Sequence, residues 1–387
     1  MKFSYAANKF LSLLINIVLV ILTGFFVLIT LFNGKGQYIP LIVTGGATVY
    51  MLLKYLFIRL SDREYHPSKF FFVGIVVLWI VVGGKLAYDT YHANMDRVNA
   101  EVDLEQYEPN TPGTKAVSLE QKASLQLPKD NLLRLDGATA LYPLYSAFVQ
   151  ATYPKKVYKV YDPTVRSTKT NQAYKNLIDG TADIIFVAGP SDAQLKHAKN
   201  KGVTLNMTPI GREAFVFFVH ANNSIEGLTS DQIRSIYSGK VVNWKEVGGK
   251  NDKIRAFQRP ADSGSQTAFE KFMGDQELME APSQDVVSGM GGVINEVSEY
   301  KNYKNAIGYT FRFFSTEMVK NENIRLLKVD GIYPDKESIR SESYPITAEF
   351  YAITAGTTNP HAQAFIDWIL SAEGQELVEK TGYVPIK

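Results

Sequence analysis

The sequence predicts an α/β domain, with strands alternating with helices around a mostly parallel sheet, preceded by about three transmembrane helices. Three observations carry that prediction. Long uncharged apolar runs fill the first 90 residues. A polar stretch with Pro109, Pro112 and Gly113 follows. From residue 131 onward, short apolar strand-like segments alternate with helix-length stretches.

Composition narrows the function classes. The chain has 387 residues with 41 Lys+Arg against 39 Asp+Glu, a formal charge of +2. At about 100–200 residues per domain, that length suggests two or three domains. Near neutrality gives no basic excess to attract nucleic acid and no acidic excess of a disordered chain. Cysteine is absent, which excludes disulfides, zinc-thiolate sites, a Cys nucleophile and a lipid-anchor cysteine. The five His, at 66, 92, 197, 220 and 361, show no HxxxH spacing, so no metal centre and no cofactor is expected.

Residues 1–90 read as a membrane domain, with helices over about 10–32, 38–60 and 69–88. Phe10–Phe32 is 23 residues without a charge, enough to span a hydrocarbon core of about 30 Å at about 1.5 Å per residue. Tyr38–Leu60 is broken only by Lys54 and Arg59 near its end, where long cations reach the headgroups. Phe70–Gly84 reaches spanning length with Lys69 and Lys85 at its interfaces. A cleaved signal peptide is the alternative for the first run. Its apolar stretch exceeds the usual ~7–15 residues, and two further spans follow it. Lys2 and Lys9 precede the first span, and Arg59, Arg63 and Lys69 flank the second loop, whereas loop 33–37 offers only Lys35. By the positive-inside rule the N-terminus is cytoplasmic and everything after Tyr88 is extracytoplasmic, a multi-pass protein of the cell membrane in contact with lipid. Gly45-Gly46 in the second span suits close helix packing.

Residues 91–130 read as a helical extension of the third span to about Val102, then a tether. Packing along the domain surface is the alternative, with one strand at Ala123–Leu127. The soluble domain then runs in strand–helix units. Leu132–Asp136 is a strand leading to a helix ending near Tyr153, and Val157–Tyr161 a strand leading to helix Asn171–Asp179, which Gly180 terminates. Ala182–Val187 and Ala214–His220 are buried strands. Ser230–Ser238 is a helix, Ile254–Gln258 a strand, and Ser265–Met273 a helix. Ile307–Phe313 and Glu349–Thr354 are later strands, and Ala362–Glu379 is one amphipathic final helix.

Three strand-to-helix turns deliver small hydroxyl or glycine residues to a helix start: Gly137-Ala-Thr139, Thr168-Lys-Thr170 and Ser263-Gly-Ser265. A helix start offers unpaired N–H groups and a positive dipole end, a natural seat for an oxyanion. Arg259, four residues before Ser263, adds a guanidinium fork that matches a tetrahedral anion. Ordinary N-capping explains any one turn. Three together, beside an arginine, point to an anion site.

These residues resemble a known family. Residues 131–387 are similar to the phosphate-binding protein of the bacterial phosphate ABC transporter (PstS-like), a type II periplasmic-binding-protein fold. The most specific stretch is Ile254 to Phe269, with Arg259, Ser263, Gly264 and Ser265 in the pattern of the family's anion loop. Leu228–Ile233, Ile236–Trp244, Ala306–Tyr309, Phe365–Gln375 and Gly137–Pro143 support it, in the right order. The resemblance implies two lobes with the ligand between them, one near 131–215 plus 345–387 and the other near 216–344. The crossovers would lie at Phe215–Val219 and Tyr344–Tyr351. It implies phosphate contacts from Thr139 and the Ala140 amide, from Thr170 or its neighbour Thr168, and from Arg259, Ser263, Gly264 and Ser265.

The implied function is a membrane-anchored extracytoplasmic protein that captures inorganic phosphate and delivers it to ABC permease subunits, with no enzymatic activity. A membrane-bound phosphate or oxyanion sensor is the alternative, and a phosphatase a weaker one, since neither a metal-ligand cluster nor a Ser-His-Asp arrangement is evident. One departure concerns selectivity. Relatives carry a carboxylate two residues after the loop arginine and another after the strand matching Ala182–Val187; here those positions are Ala261 and the neighbourhood of Val187–Ala188. Asp262 is one step away and is the candidate acceptor of the hydrogenphosphate proton, with a loop residue turned to solvent as the alternative, while Asp192 is expected to cap the next helix. Trp244 is expected to pack, and Glu296, Glu299 and Tyr300 to form a solvated helical face.

Overall fold

A computed structural model describes residues 5–32, 38–61, 69–93, 97–98, 102–280, 300–301, 304–319 and 322–386. It divides into two compact units, Met1–Met95 and Asp96–Lys387. The first unit contains helices α1 (Tyr5–Phe32), α2 (Ile39–Ser61) and α3 (Lys69–Ala93). Each holds a stretch long and apolar enough to cross a membrane: Leu14–Phe32, Ile39–Leu56 and Phe71–Tyr88. Their close packing is legible in small residues. A Cβ on Gly46 would stand 2.4 Å from the Thr23 hydroxyl, so only glycine lets α2 approach α1 there. The Trp79 indole of α3 donates to the Thr48 hydroxyl of α2 at 3.0 Å.

The helical extension to Val102 does not form. Helix α3 ends at Ala93, and Arg97–Val98 (β1) is already extended, paired antiparallel with Tyr300–Lys301 (β9). The segment 102–130 is no free tether either. Tyr107, Ala123 and Leu127 are buried in the core of the second unit, and the Leu127 amide donates to the Thr152 carbonyl at 2.8 Å. Buried Glu108 accepts from the Val160 amide and the Lys159 ammonium, each at 2.9 Å. No strand forms at Ala123–Leu127; the stretch lies on the surface as an irregular strap.

The second unit continues in strand–helix order. After β1 come β2 (Leu135–Gly137), α4 (Tyr142–Thr152), the hairpin β3 (Tyr161–Asp162) and β4 (Val165–Arg166), α5 (Lys169–Ile178), β5 (Ile184–Ala188), α6 (Asp192–Asn200) and the long β6 (Asn206–His220). Then come β7 (Gly227–Leu228), α7 (Ser230–Tyr237), β8 (Arg255–Ala256), α8 (Gly264–Met273), β9, β10 (Ala306–Phe311), β11 (Ile324–Leu326), β12 (Lys328–Val329), α9 (Lys336–Arg340) and β13 (Thr347–Thr354). The last two helices are α10 (Ala362–Ile369) and α11 (Ala372–Thr381).

The main sheet runs β3-β4-β2-β5-β13-β6-β10-β8. It is mixed rather than mostly parallel. Parallel pairs join β2 to β4 and β5, and β10 to β8, but β13 runs antiparallel to both β5 and β6, and β10 antiparallel to β6. The cause is β6, which belongs to both lobes. Its first part, to Ala214, pairs with β13, and from Phe215 to Val219 it pairs with β10. Strand and return segment therefore cross between lobes side by side, the Phe215 amide donating to the Ile346 carbonyl at 3.0 Å.

Each lobe has its own core. Tyr142, Tyr145, Phe148, Phe186 and Trp368 fill the first, and Phe215, Phe217, Tyr237, Trp244 and Tyr309 the second. Along β5 the side chains alternate between clusters on opposite faces, Ile184 and Phe186 to one and Ile185 and Val187 to the other, the period of a strand covered on both sides. Trp244 packs in the core, its indole donating to the Asn305 carbonyl at 2.9 Å.

Three local expectations shift. Of Val157–Tyr161 only Tyr161 is in a strand, because the Glu108 carboxylate takes the Val160 amide and the pairing moves downstream to the β3–β4 hairpin. The final helix breaks at Leu370–Ser371, where Ser371 caps α11, accepting from the Gly374 amide at 3.5 Å. Glu296 and Glu299 lie outside the described residues, and Tyr300 stands in a two-residue strand.

Candidate functional site

The lobes enclose a cleft of about 490 Å³. The three hydroxyl-bearing turns converge on it, two from the first lobe and one from the second. Eight of the nine expected site residues line it: Thr139, Ala140, Thr168, Thr170, Arg259, Ser263, Gly264 and Ser265. Asp262 does not.

The first turn leaves β2 at Gly137. The Ala138 amide donates to the Phe186 carbonyl of β5 at 2.9 Å, which fixes where the chain leaves the sheet. Thr139–Leu141 then forms a single 3₁₀ turn that feeds α4, with Pro143 in its first turn, where a missing N–H costs nothing. Thr139 and Ala140 thus stand at a helix start facing the cleft.

The second turn is organised by Asp136, a fully buried carboxylate at the end of β2. Its Oδ1 accepts from the Gly137 and Thr168 amides at 2.8 and 2.9 Å. Its Oδ2 accepts from the Thr168 hydroxyl at 2.8 Å, Arg166 Nε at 2.9 Å and Asn176 Nδ2 at 2.7 Å. The two threonines differ in how their hydroxyls are engaged. The Thr168 hydroxyl hydrogen is committed to Asp136, whereas Thr170 sits in the first turn of α5 against the opposite lobe. A Cβ on Gly264 would come within 3.0 Å of the Thr170 hydroxyl, so glycine at 264 sets how closely the lobes meet.

The third turn carries Arg259. Its amide donates to the Tyr309 hydroxyl at 3.0 Å and to Gln266 Oε1 at 3.1 Å. Tyr309 in turn donates to Gln266 and stacks on Phe269, ring centres 4.2 Å apart, so β10 and α8 together fix the arginine backbone. Ser263 caps α8, its Oγ accepting from the Gln266 amide at 3.3 Å, which leaves the hydroxyl hydrogen free to turn outward. The Arg259 Nε is sealed from solvent without a hydrogen-bond partner. Burial pushes the guanidinium down from its ordinary value, an effect the nearby Tyr309 opposes. A buried, unpaired donor of a permanently charged group calls for an anion. Lys169 and Lys175 add two cations to the lining, and among the described residues no carboxylate lines the cleft.

The expectation for Asp262 fails. With φ +61° it turns away from the cleft, and its Oδ1 accepts from the Ser191 hydroxyl at 2.8 Å. Asp192 is not the cap of α6 either. Ser191 is, accepting from the Gln194 amide at 3.2 Å while Gln194 Oε1 accepts from the Ser191 amide at 2.9 Å. Sequence reasoning missed Asp136, Asn176 and Lys175. Asp136 had a signal of its own, an acid at the end of an apolar strand, directly before a glycine-led turn.

Comparison with known proteins bears on the family and the fold. A family model described as "PBP superfamily domain" matches residues 108–373. The phosphate-binding protein PstS of Bacillus subtilis (strain 168) is 27% identical over 169 residues, 43% of this chain and 53% of the relative, so the match spans about half of that protein. The phosphate-binding protein PstS of Pseudomonas aeruginosa (strain PAO1) is 25% identical over 257 residues, 60% of this chain and 76% of the relative. Among solved structures, a phosphate ABC transporter substrate-binding protein from Clostridium perfringens, crystallised with bound phosphate, aligns with TM-score 0.52 and 26% identity over 66% of this chain and 99% of that one.

Proposed function

This chain belongs to the PBP superfamily, and from that premise we propose that it captures inorganic phosphate between its two lobes on the extracytoplasmic side of the membrane and delivers it to an ABC permease. One observation carries the ligand class: the sealed, unpaired Nε of Arg259 at a cleft lined by three hydroxyl-bearing helix starts. Phosphate is the member of that class that the named relatives bind and that the Clostridium perfringens structure holds. Thr139, Ala140, Thr170, Ser263, Gly264 and Ser265 supply donors around the anion, and Arg259 supplies the charge-assisted pair. The chain acts as a binder, the role those relatives are named for. Helices α1–α3 serve as the anchor, and the cations at Lys2, Lys9, Arg63 and Lys69 support a cytoplasmic N-terminus.

Calorimetry on the full chain in detergent tests the ligand. Phosphate is expected to bind one-to-one, and Arg259→Ala to weaken it by about 2–3 kcal/mol, roughly 30- to 150-fold, by removing a charge-assisted partner in a desolvated site. A folded sample with neither heat nor thermal shift on phosphate addition sinks the assignment. An affinity untouched by Arg259→Ala assigns the arginine a structural role only. For the partner, the permease subunits are expected to co-purify with the chain and phosphate uptake to fall on its deletion. Uptake that persists while phosphate-dependent signalling is lost favours a sensor.

A further inference from the structure

Among the described residues, the ionisable groups lining the cleft are the cations Lys169, Lys175 and Arg259. The acids that stand near it are engaged elsewhere. Asp262 accepts the Ser191 hydroxyl at 2.8 Å on the far side of its loop. Asp136 has both oxygens saturated by five donors from Gly137, Arg166, Thr168 and Asn176. Glu270, one turn further along α8 from Gln266, accepts from that side chain at 3.1 Å. The two alanines at 188 and 261 carry no side-chain acceptor, and the Ala188 carbonyl is taken by the Tyr174 hydroxyl at 2.8 Å.

We propose that this cleft selects its ligand by charge and tetrahedral shape, taking fully ionised oxyanions of the sulfate type alongside hydrogenphosphate. The proposal rests on the reading of the cleft as an oxyanion site and specifies its ligand class. The reasoning is a matter of donors and acceptors. Hydrogenphosphate carries one P–OH, dihydrogenphosphate two, and sulfate none. A carboxylate in the cleft would accept a phosphate proton and repel a sulfate oxygen, and that repulsion is how such a site rejects sulfate. With no carboxylate among the described lining residues, sulfate meets hydroxyls, amides and cations without a repelling acid, while each phosphate proton points at a hydroxyl or at water. Binding therefore favours the dianion, and a second proton on phosphate weakens it through both lost charge and an extra donor that finds no strong acceptor.

The test is competition on the full chain in detergent, with labelled phosphate displaced by inorganic sulfate, repeated between about pH 6 and about pH 8, where phosphate passes from mono- to dianion. Sulfate is expected to displace phosphate with a constant within about tenfold of phosphate's own. The affinity of phosphate relative to sulfate is expected to rise with pH. Sulfate shares every titration of the protein, so the ratio isolates the ligand's proton. In Asp262→Asn both affinities are expected to move together and leave the ratio unchanged. Three results overturn the proposal while leaving phosphate binding intact: sulfate weaker than phosphate by about a thousandfold, a phosphate-to-sulfate ratio flat with pH, or a ratio shifted toward sulfate in Asp262→Asn, which would make Asp262 the proton acceptor after all. A folded protein that binds neither anion instead removes the oxyanion reading itself.

Discussion

Glu213 makes a prediction that does not depend on any ligand. It lies on β6 one residue before the strand passes from one lobe to the other, and only 5% of it is exposed. Its Oε1 accepts from the Phe313 amide at 3.0 Å, which ties the crossing strand to the segment that supplies Phe311 and Phe314 to the cleft. Burial pushes its carboxyl up from 4.5 to about 8; Glu317 adds to the rise, and the amides of Phe313 and Ala214 and the Arg312 guanidinium oppose it without cancelling it. Tyr383, stacked on Phe313 with ring centres 4.3 Å apart, is pushed up by burial first and by Glu213 second.

The folded protein therefore holds Glu213 protonated over a range where the unfolded chain has released the proton. The stability this contributes is complete below the unfolded value of 4.5 and is lost as pH rises through about 8. At about 1.36 kcal/mol per pH step, the full difference is on the order of 5 kcal/mol. At about 2–4 °C per kcal/mol for a domain of this size, that is a fall of about ten degrees or more in midpoint. Glu213→Gln keeps the size and the acceptor oxygen but cannot ionise. Thermal unfolding of the full chain in detergent, followed by tryptophan fluorescence from about pH 5 to about pH 8.5, gives the comparison. The wild-type midpoint is expected to fall relative to that of Glu213→Gln as pH rises. Parallel curves for the two proteins would refute the reasoning, because the slope of the difference reports this proton alone.

Other consequences follow from the same geometry. Gly264→Ala places a methyl within 3.0 Å of the Thr170 hydroxyl and should weaken phosphate binding by about 1–2 kcal/mol while leaving the melting temperature nearly unchanged; calorimetry and a thermal melt separate the two effects. Thr168→Val removes a hydroxyl that both donates to Asp136 and accepts from Asn176, so it should destabilise the first lobe by about 1–3 kcal/mol, read as a lower denaturation midpoint. Protease added to intact cells should remove the chain after about residue 110 and spare the membrane helices; a protected C-terminus would reverse the topology.

What the sequence disclosed, and what it hid, follows from the range of the interactions involved. The three apolar helices were legible because length and lack of charge are local properties, and α1–α3 match the runs from which they were read. The hydroxyl-bearing turns were legible for the same reason: a small hydroxyl residue before a helix is a pattern of neighbours, and all three turns line the cleft. Side-chain commitments were not. Asp262 stands one residue from a cleft position, yet its carboxylate is claimed by Ser191, 71 residues earlier in the chain. The Thr168 hydroxyl is engaged by Asp136, 32 residues earlier at the end of β2. The supposed tether became a strap because Tyr107, Ala123 and Leu127 find the first core. The sheet became mixed because β6 continues into the second lobe instead of returning beside β5. Strand–helix alternation carries no trace of that choice.

Those distant commitments also bear on how the lobes meet. Ser191 belongs to the first lobe and Asp262 to the second, so their hydrogen bond bridges the lobes with no ligand involved, and Gln194 Nε2 adds a second, longer contact to the Asp262 carbonyl at 3.4 Å. A hydrogen bond to a charged group contributes about 1.5–3 kcal/mol, and a buried unsatisfied donor costs about 1–3 kcal/mol. The Ser191–Asp262 bond and the unpaired Arg259 Nε are therefore opposing terms of similar size in the same arrangement. The first holds the lobes together, and the second penalises bringing them together around an empty cleft. If the proposed oxyanion pairs with Arg259, the penalty is removed and the bridge stays in place. On the proposed reading the loop from Arg259 to Ser265 gives its arginine to the anion, while its aspartate is bonded to Ser191 and so is absent from the cleft lining.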